Sequence, residues 1–130
     1  MTLAEKLAFI RENHRAVLVT HRKDDRLQTS PIVCGVDDEG HVAISVTQGR
    51  AKTKNVLRDP RVSLCVFNDG FFGPWVQIDG VAKILPMPDA MQGLKDLYRQ
   101  VAGEHPDWDE YEAAMLNDRR VLMRITPNDD

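Results

Sequence analysis

The chain has 130 residues, two of them cysteines, with 42% hydrophobic and 28% charged residues and a formal net charge of −3. One domain of this size buries a core without disulfides or metals. The acidic balance disfavours general binding to nucleic acid or an anionic membrane, which select a basic face, and no apolar run approaches the roughly 18 residues of a membrane span.

Thr2 to Asn13 reads as a helix, with Thr2 and Glu5 matching a capping box and Leu3, Leu7 and Ile10 on one face. This opening lacks the basic and apolar segments of a secretion signal, so a cytoplasmic location is expected. Ala16–His21 is a β-branched, continuous first strand, expected to be covered on both faces. Arg22–Arg26 is a polar hairpin connection. Leu27–Val36 is a second strand interrupted by Pro31, which points to an edge or a bulge. After the Asp37–Gly40 turn, His41–Thr47 is a third strand. Turns this short make the strands antiparallel.

Gly49–Pro60 (GRAKTKNVLRDP) follows, a short helix over about Ala51–Arg58 that opens on a glycine turn with Arg50 and Lys52 in its first turn. Cations there oppose the helix dipole. A bound anion, such as a phosphate, offsets that cost, because the free N–H groups and the cationic side chains both face it. The simpler reading is a solvated basic turn. In an acidic protein, a local basic helix fits a small anionic ligand better than a polymer.

Arg61–Asn68 is a fourth strand, with Val62, Leu64 and Val66 alternating with Ser63, Cys65 and Phe67. Asp69–Pro74 is a turn-rich loop carrying Phe71 and Phe72. Trp75–Leu85 is a fifth strand with Gly80 in its middle, a sign of a bulge, a barrel corner or a close backbone approach. Asp89 is placed to cap a helix running to Ala102, with Gly103 as its stop. Asp107 and Glu110 mark a second helix start, running to Asn117. Arg120–Ile125 is a sixth strand, and Thr126–Asp130 a polar, loose tail. Six short strands with helices at the start, after the third strand and before the sixth suggest a mainly β fold: a small six-stranded antiparallel barrel with flanking helices, in one domain over 1–130. An open α+β sandwich is the alternative.

Other chemistries lack a pattern. No serine sits in a nucleophile elbow, and His14, His21, His41 and His105 are scattered. No metal-ligand spacing occurs, and no glycine motif for nucleotides. Cys34 and Cys65 lie in apolar runs without a CxxC, as expected of buried free thiols in a reducing compartment. Beside the basic helix, Ser45 and Val46 could line a flat ligand whose phosphate sits at Arg50 and Lys52. Gln28, Ser30 and Pro31 lie on the neighbouring strand, and Trp75 with Phe71 and Phe72 could stack on a ring.

Gly49–Arg61 resembles the motif after the third strand in flavin/deazaflavin split β-barrel oxidoreductases, the pyridoxamine 5′-phosphate oxidase-like superfamily. The likeness extends to Gln28-Thr29-Ser30, Asp79–Ala82, Leu97-Tyr98-Arg99, Ala102–His105, Asp107-Trp108-Asp109 and Asp118–Leu122, and is nearest to the actinobacterial deazaflavin-dependent branch. It implies a split-barrel homodimer with cofactor sites at the subunit interface. It implies that Arg50, Ala51 and Lys52 hold the cofactor phosphate with Asn55 nearby, and that Ser45 and Val46 lie along the ring. Gln28, Ser30 and Pro31 would flank the ring, and Trp75 would reach in from the other subunit. The family member most like this chain has a polar residue where Pro31 stands. The cofactor carries the hydride chemistry, so no catalytic side chain is assigned.

The leading expectation is a coenzyme F420 (deazaflavin)-dependent reductase of a small conjugated substrate. The alternatives are an FMN-dependent oxidase or reductase, pyridoxamine-phosphate oxidation included, and a non-catalytic module binding a flavin, deazaflavin or haem. Gly70–Pro74 is the expected lining of the substrate face.

Overall fold

The computed structural model describes residues 1–129, and all statements here refer to them. Ten elements follow in order: α1 (Leu3–Glu12), β1 (Arg15–His21), β2 (Leu27–Val36), β3 (Val42–Thr47), α2 (Ala51–Arg58), β4 (Arg61–Phe67), β5 (Trp75–Leu85), α3 (Ala90–Ala102), α4 (Trp108–Asn117) and β6 (Arg120–Pro127). The six strands form a closed antiparallel barrel in the order β1-β2-β3-β6-β5-β4. Closure comes from two non-sequential pairings, β1 with β4 and β3 with β6.

The capping box forms as expected. The Thr2 hydroxyl accepts from the Glu5 N–H, and the Glu5 carboxylate accepts from the Thr2 N–H. Asp107 caps α4 by accepting from Glu110 N. Asp89 differs: it is itself helical in conformation and its side chain caps nothing. The tail differs too. β6 continues through Thr126 and Pro127, paired with Val81 and Gly80, and Asn128 N donates to the Asp79 carbonyl.

Alternate side chains fill the barrel. Leu18, Ile44, Val46, Leu64, Val66, Ile78, Met123 and Ile125 are almost fully buried, and Leu7 and Ile10 of α1 join them. The outer surface is covered unevenly. Ala90 and Leu94 of α3 and Tyr111 of α4 pack with Ala43 and Leu122 over β3 and β6. Among the described residues, nothing covers the outward positions of β1, β4 and the start of β5. β1 is therefore buried on one face and half-exposed on the other, not covered on both. Continuous β-branching marks a strand but does not report whether its second face is covered. Cys65 faces outward on the same side and is exposed, while Cys34 is buried. The period of two that buries Leu64 and Val66 puts Cys65 on the opposite face. Burial pushes the Cys34 thiol up to about 12, so it stays protonated and inert.

β2 pairs with β1 along seven residues but with β3 only at Cys34, Gly35 and Val36. From Val33 back to Leu27 it leaves β3, and the barrel splits open there. Pro31 sits in this one-sided stretch, where a missing N–H costs least.

Gly80 faces Pro127, and a Cβ at this position would overlap the Thr126 carbonyl oxygen. Of the sequence expectations for this glycine, close backbone approach is the one realised. Gly80→Ala should lower stability by about 1–3 kcal/mol, measured by chemical denaturation. Unchanged stability would show that β6 gives way easily.

Candidate functional site

α2 begins where the split ends. Gly49 has φ +86°, a left-handed turn that glycine adopts freely. Arg50 then takes the N-cap position without a side-chain cap, and the first turn has no acidic residue. The buried Thr53 hydroxyl donates to the Thr47 carbonyl at 2.9 Å and fixes the helix to the end of β3.

A cleft of about 820 Å³ opens at the split. One end is polar and cationic: Ser45, Thr47, Arg50, Lys52 and Arg120. The other is carbon-rich, built by Leu94, Leu97, Tyr98 and Val101 of α3 with Tyr111 and Met115 of α4. Pro31, Ile32 and Val33 form the β2 rim, and no carboxylate lines the cleft. Among the described residues, neither Arg50 nor Lys52 has a carboxylate partner. Burial lowers the Lys52 pKa below the ordinary lysine value, and the nearby Arg50 and Arg120 charges lower it further.

Arg120 lies in the Asp118–Leu122 stretch of the likeness, where the sequence assigns it no role in the site. The structure aims it inward: its Nε donates to Asp118 at 2.7 Å while its other arm reaches the Ser45 carbonyl at 3.4 Å. Its pairing with Thr47 across the β3–β6 ladder puts a third cation beside Arg50 and Lys52. Only the nonlocal strand order makes this visible.

The sequence-selected residues divide into groups. Pro31, Ser45, Arg50 and Lys52 share the large cleft. Gln28, Ala51 and Asn55 line a smaller groove of about 370 Å³ on the opposite flank of α2, with Arg22, Lys23, Lys54 and Arg58. Ser30 lies between them, accepting from Gln28 Nε2 at 3.4 Å. Asn55 is nearly buried, and both ends of its amide are engaged. Its Nδ2 donates to the fully buried Thr20 hydroxyl at 3.1 Å, and its Oδ1 accepts from Arg58 at 2.9 Å. Thr20 in turn donates to Gln28 Oε1 at 3.0 Å. This chain of bonds ties α2 to β1 and β2, so Asn55 acts as a strut under the basic turn. The Val46 side chain is wholly inside the barrel. Trp75 is exposed and pairs with Phe67 on the uncovered sheet, away from the cleft of its own chain. Phe71 and Phe72 stand beside it, with ring centroids 4.9 Å apart. The Gly70–Pro74 loop is likewise outside that cleft, and α3 and α4 supply the apolar wall in its place.

The donor set suits an anion with a flat body. Two cations without a carboxylate partner, Arg50 and Lys52, meet Arg120, itself paired with Asp118, at one end; a half-open strand edge follows, and an apolar and aromatic wall completes the cleft. A phosphate-bearing ring system fits these residues; a cation does not, and among the described residues no group of His, Cys, Asp and Glu is placed to hold a metal. None of the described helices is long and apolar enough to cross a membrane.

A family model described as pyridoxamine 5′-phosphate oxidase matches residues 3–129. Among solved structures, a conserved hypothetical protein from Mycobacterium tuberculosis has a TM-score of 0.81 at 24% identity, covering 98% of this chain and 81% of its own. An F420 reductase has a TM-score of 0.69 at 21% identity, covering 93% and 91%. A haem storage protein from Vibrio cholerae has a TM-score of 0.74 at 15% identity, covering 100% and 93%. At these identities the likenesses show a common fold, and the fold serves proteins of different function.

Proposed function

Because the chain belongs to the pyridoxamine 5′-phosphate oxidase family, we propose that it binds coenzyme F420 in the split-barrel cleft and reduces a small conjugated substrate. The observation that carries the reading is the cation cluster of Arg50 and Lys52, which have no carboxylate partner among the described residues, with Arg120 beside them, at the polar end of a cleft whose remainder is flat and apolar. Arg50 and Lys52 would take the phosphate, with the free N–H groups of the first turn of α2 behind them. The edge of Ser45 and Thr47 that β2 leaves unpaired would face the ring. When bound, the cofactor supplies the hydride. The protein's part is to anchor the phosphate, orient the ring along β3 and exclude water on the α3–α4 side. An FMN-dependent activity is the second reading, favoured by the family match itself, since the cation cluster serves either phosphate.

We also propose that a second copy covers the outward face of β1, β4 and β5. Val17, Cys65 and Gln77 form one row across these strands, and Arg15, Phe67 and Trp75 the next. Trp75, Phe71 and Phe72 are all more than half exposed, and an exposed aromatic cluster of this kind supports the reading of this face as an interface. Trp75 would then meet the partner's ligand. Sedimentation should give about twice the 14.7 kDa chain mass, and Trp75→Asp should shift the protein toward the single chain. A wild type that sediments as one chain at tens of micromolar would contradict this.

Lys52 tests the cofactor reading. Its lowered pKa costs the folded protein while the ammonium stays charged, and that cost fades as pH rises through the lowered value. A bound phosphate rewards the charged form. Affinity for F420 and FMN should therefore fall on the alkaline side, beginning below the 10.5 of an ordinary lysine. Lys52→Arg should remove that fall, and Lys52→Ala should weaken binding by about 1.5–3 kcal/mol at neutral pH. Fluorescence titration of both cofactors measures each effect. Tighter binding of FMN would favour the second reading, and unchanged affinity in folded Lys52→Ala would remove the phosphate from this site.

A further inference from the structure

One polar group stands without a partner in the carbon-rich wall of the cleft. Leu94, Leu97, Tyr98 and Val101 recur at three- and four-residue spacing, share one face of α3 and line the cleft. The two tyrosines of this wall differ. Tyr111 is buried and donates its hydroxyl to the Leu94 carbonyl at 2.9 Å, as a structural tyrosine does. Tyr98 is half-buried, and its hydroxyl makes no hydrogen bond to any described residue. Its ring is nevertheless held. Tyr111, His105 and Trp108 surround it with centroids 5.3, 5.0 and 5.9 Å away. α3 is itself pinned to the barrel. The Gln100 amide accepts from Val36 N and donates to Val36 O, both at 2.8 Å, over Gly35, where any Cβ would strike Gln100 and Leu97. A phenol fixed by aromatic neighbours, with a free O–H in an otherwise apolar wall, is a donor prepared for an acceptor atom on a ligand.

We propose that Tyr98 is the hydrogen-bond and proton donor to the carbonyl oxygen of a flat, conjugated substrate seated on the α3–α4 wall. This rests on the cofactor reading for its hydride. Hydride arriving at the β-carbon of an enone or quinone moves the π pair onto the carbonyl oxygen. The Tyr98 O–H bond breaks as the new O–H bond forms, and water returns a proton to the phenolate. The substrate gains two electrons and one hydrogen from the reduced flavin or deazaflavin, and one proton from Tyr98. The enol so formed then tautomerises. General-acid assistance of this kind typically contributes a hundredfold or more, and a preorganised donor on a developing oxyanion is an effective form of it.

The test compares the full-length wild type with Tyr98→Phe, which keeps the ring and its aromatic contacts. The probe is 1,4-naphthoquinone, a planar molecule with two conjugated carbonyls. Without cofactor, the bound quinone should show an infrared carbonyl band shifted to lower frequency in the wild type. Tyr98→Phe should return that band toward its free position and weaken quinone binding about five- to tenfold. With reduced cofactor bound, Tyr98→Phe should slow quinone reduction at least a hundredfold while cofactor affinity stays unchanged. The same band position and affinity in both proteins, or no quinone binding to the wild type, would overturn the assignment. Failure of both cofactors to bind would overturn the oxidoreductase reading, whereas the infrared comparison decides the Tyr98 hydrogen bond without them.

Discussion

The end of the β2–β3 ladder at Cys34 and Ile44 is the constraint on which the rest of the site depends. A fully zipped barrel has no free edge and no room at its wall. Here β2 stays with β1 while β3 stays with β6, so the two strands part at one end. The closed pairings elsewhere make the opening affordable for the fold, since the interior remains packed by aliphatic side chains on every strand. Pro31 suits the open side, and Thr53 and Arg50 N both donate to the Thr47 carbonyl where β2 no longer reaches.

The electrostatics of the opening follow from what lines it. Charges on protein surfaces usually stand near opposite charges, as Arg61 does with Asp59 and Arg99 with Glu104. Arg50 and Lys52 do not, and Arg120 leans toward them across the ladder. An arrangement that raises the energy of a charged lysine favours an anion beside it, because the anion relieves the repulsion. The same first turn is held from below by the buried bonds among Asn55, Thr20 and Gln28. That network gives Asn55 and Gln28 a structural role beneath the basic turn.

Much of this was legible from local pattern. The capping box at Thr2, the period of two in β4 and β5, the glycine stop at Gly103 and the full extent of α2 are local signals, and each forms where the residues indicate. The features that local pattern does not report depend on partners distant in the chain. Coverage of β1 and the exposure of Cys65 turn on which strands the helices overlie. The inward aim of Arg120 turns on β6 lying beside β3, and the role of Asn55 turns on Thr20, thirty-five residues earlier. The Gln100 amide, which pairs with Val36 as a strand would, has no sequence signature at all. Asp89 shows the reverse case: a residue of the right type before a helix, with no bond to make it a cap.

The central claim is that the cation cluster at the split holds a phosphate attached to a flat ring. The most direct measurement is the difference in dissociation constant between each cofactor and its phosphate-free form: FMN against riboflavin, and F420 against its deazaflavin core alone. The phosphate-bearing member of whichever pair binds should bind at least tenfold tighter, as loss of a charge-assisted contact requires. Equal affinities within both pairs would contradict it.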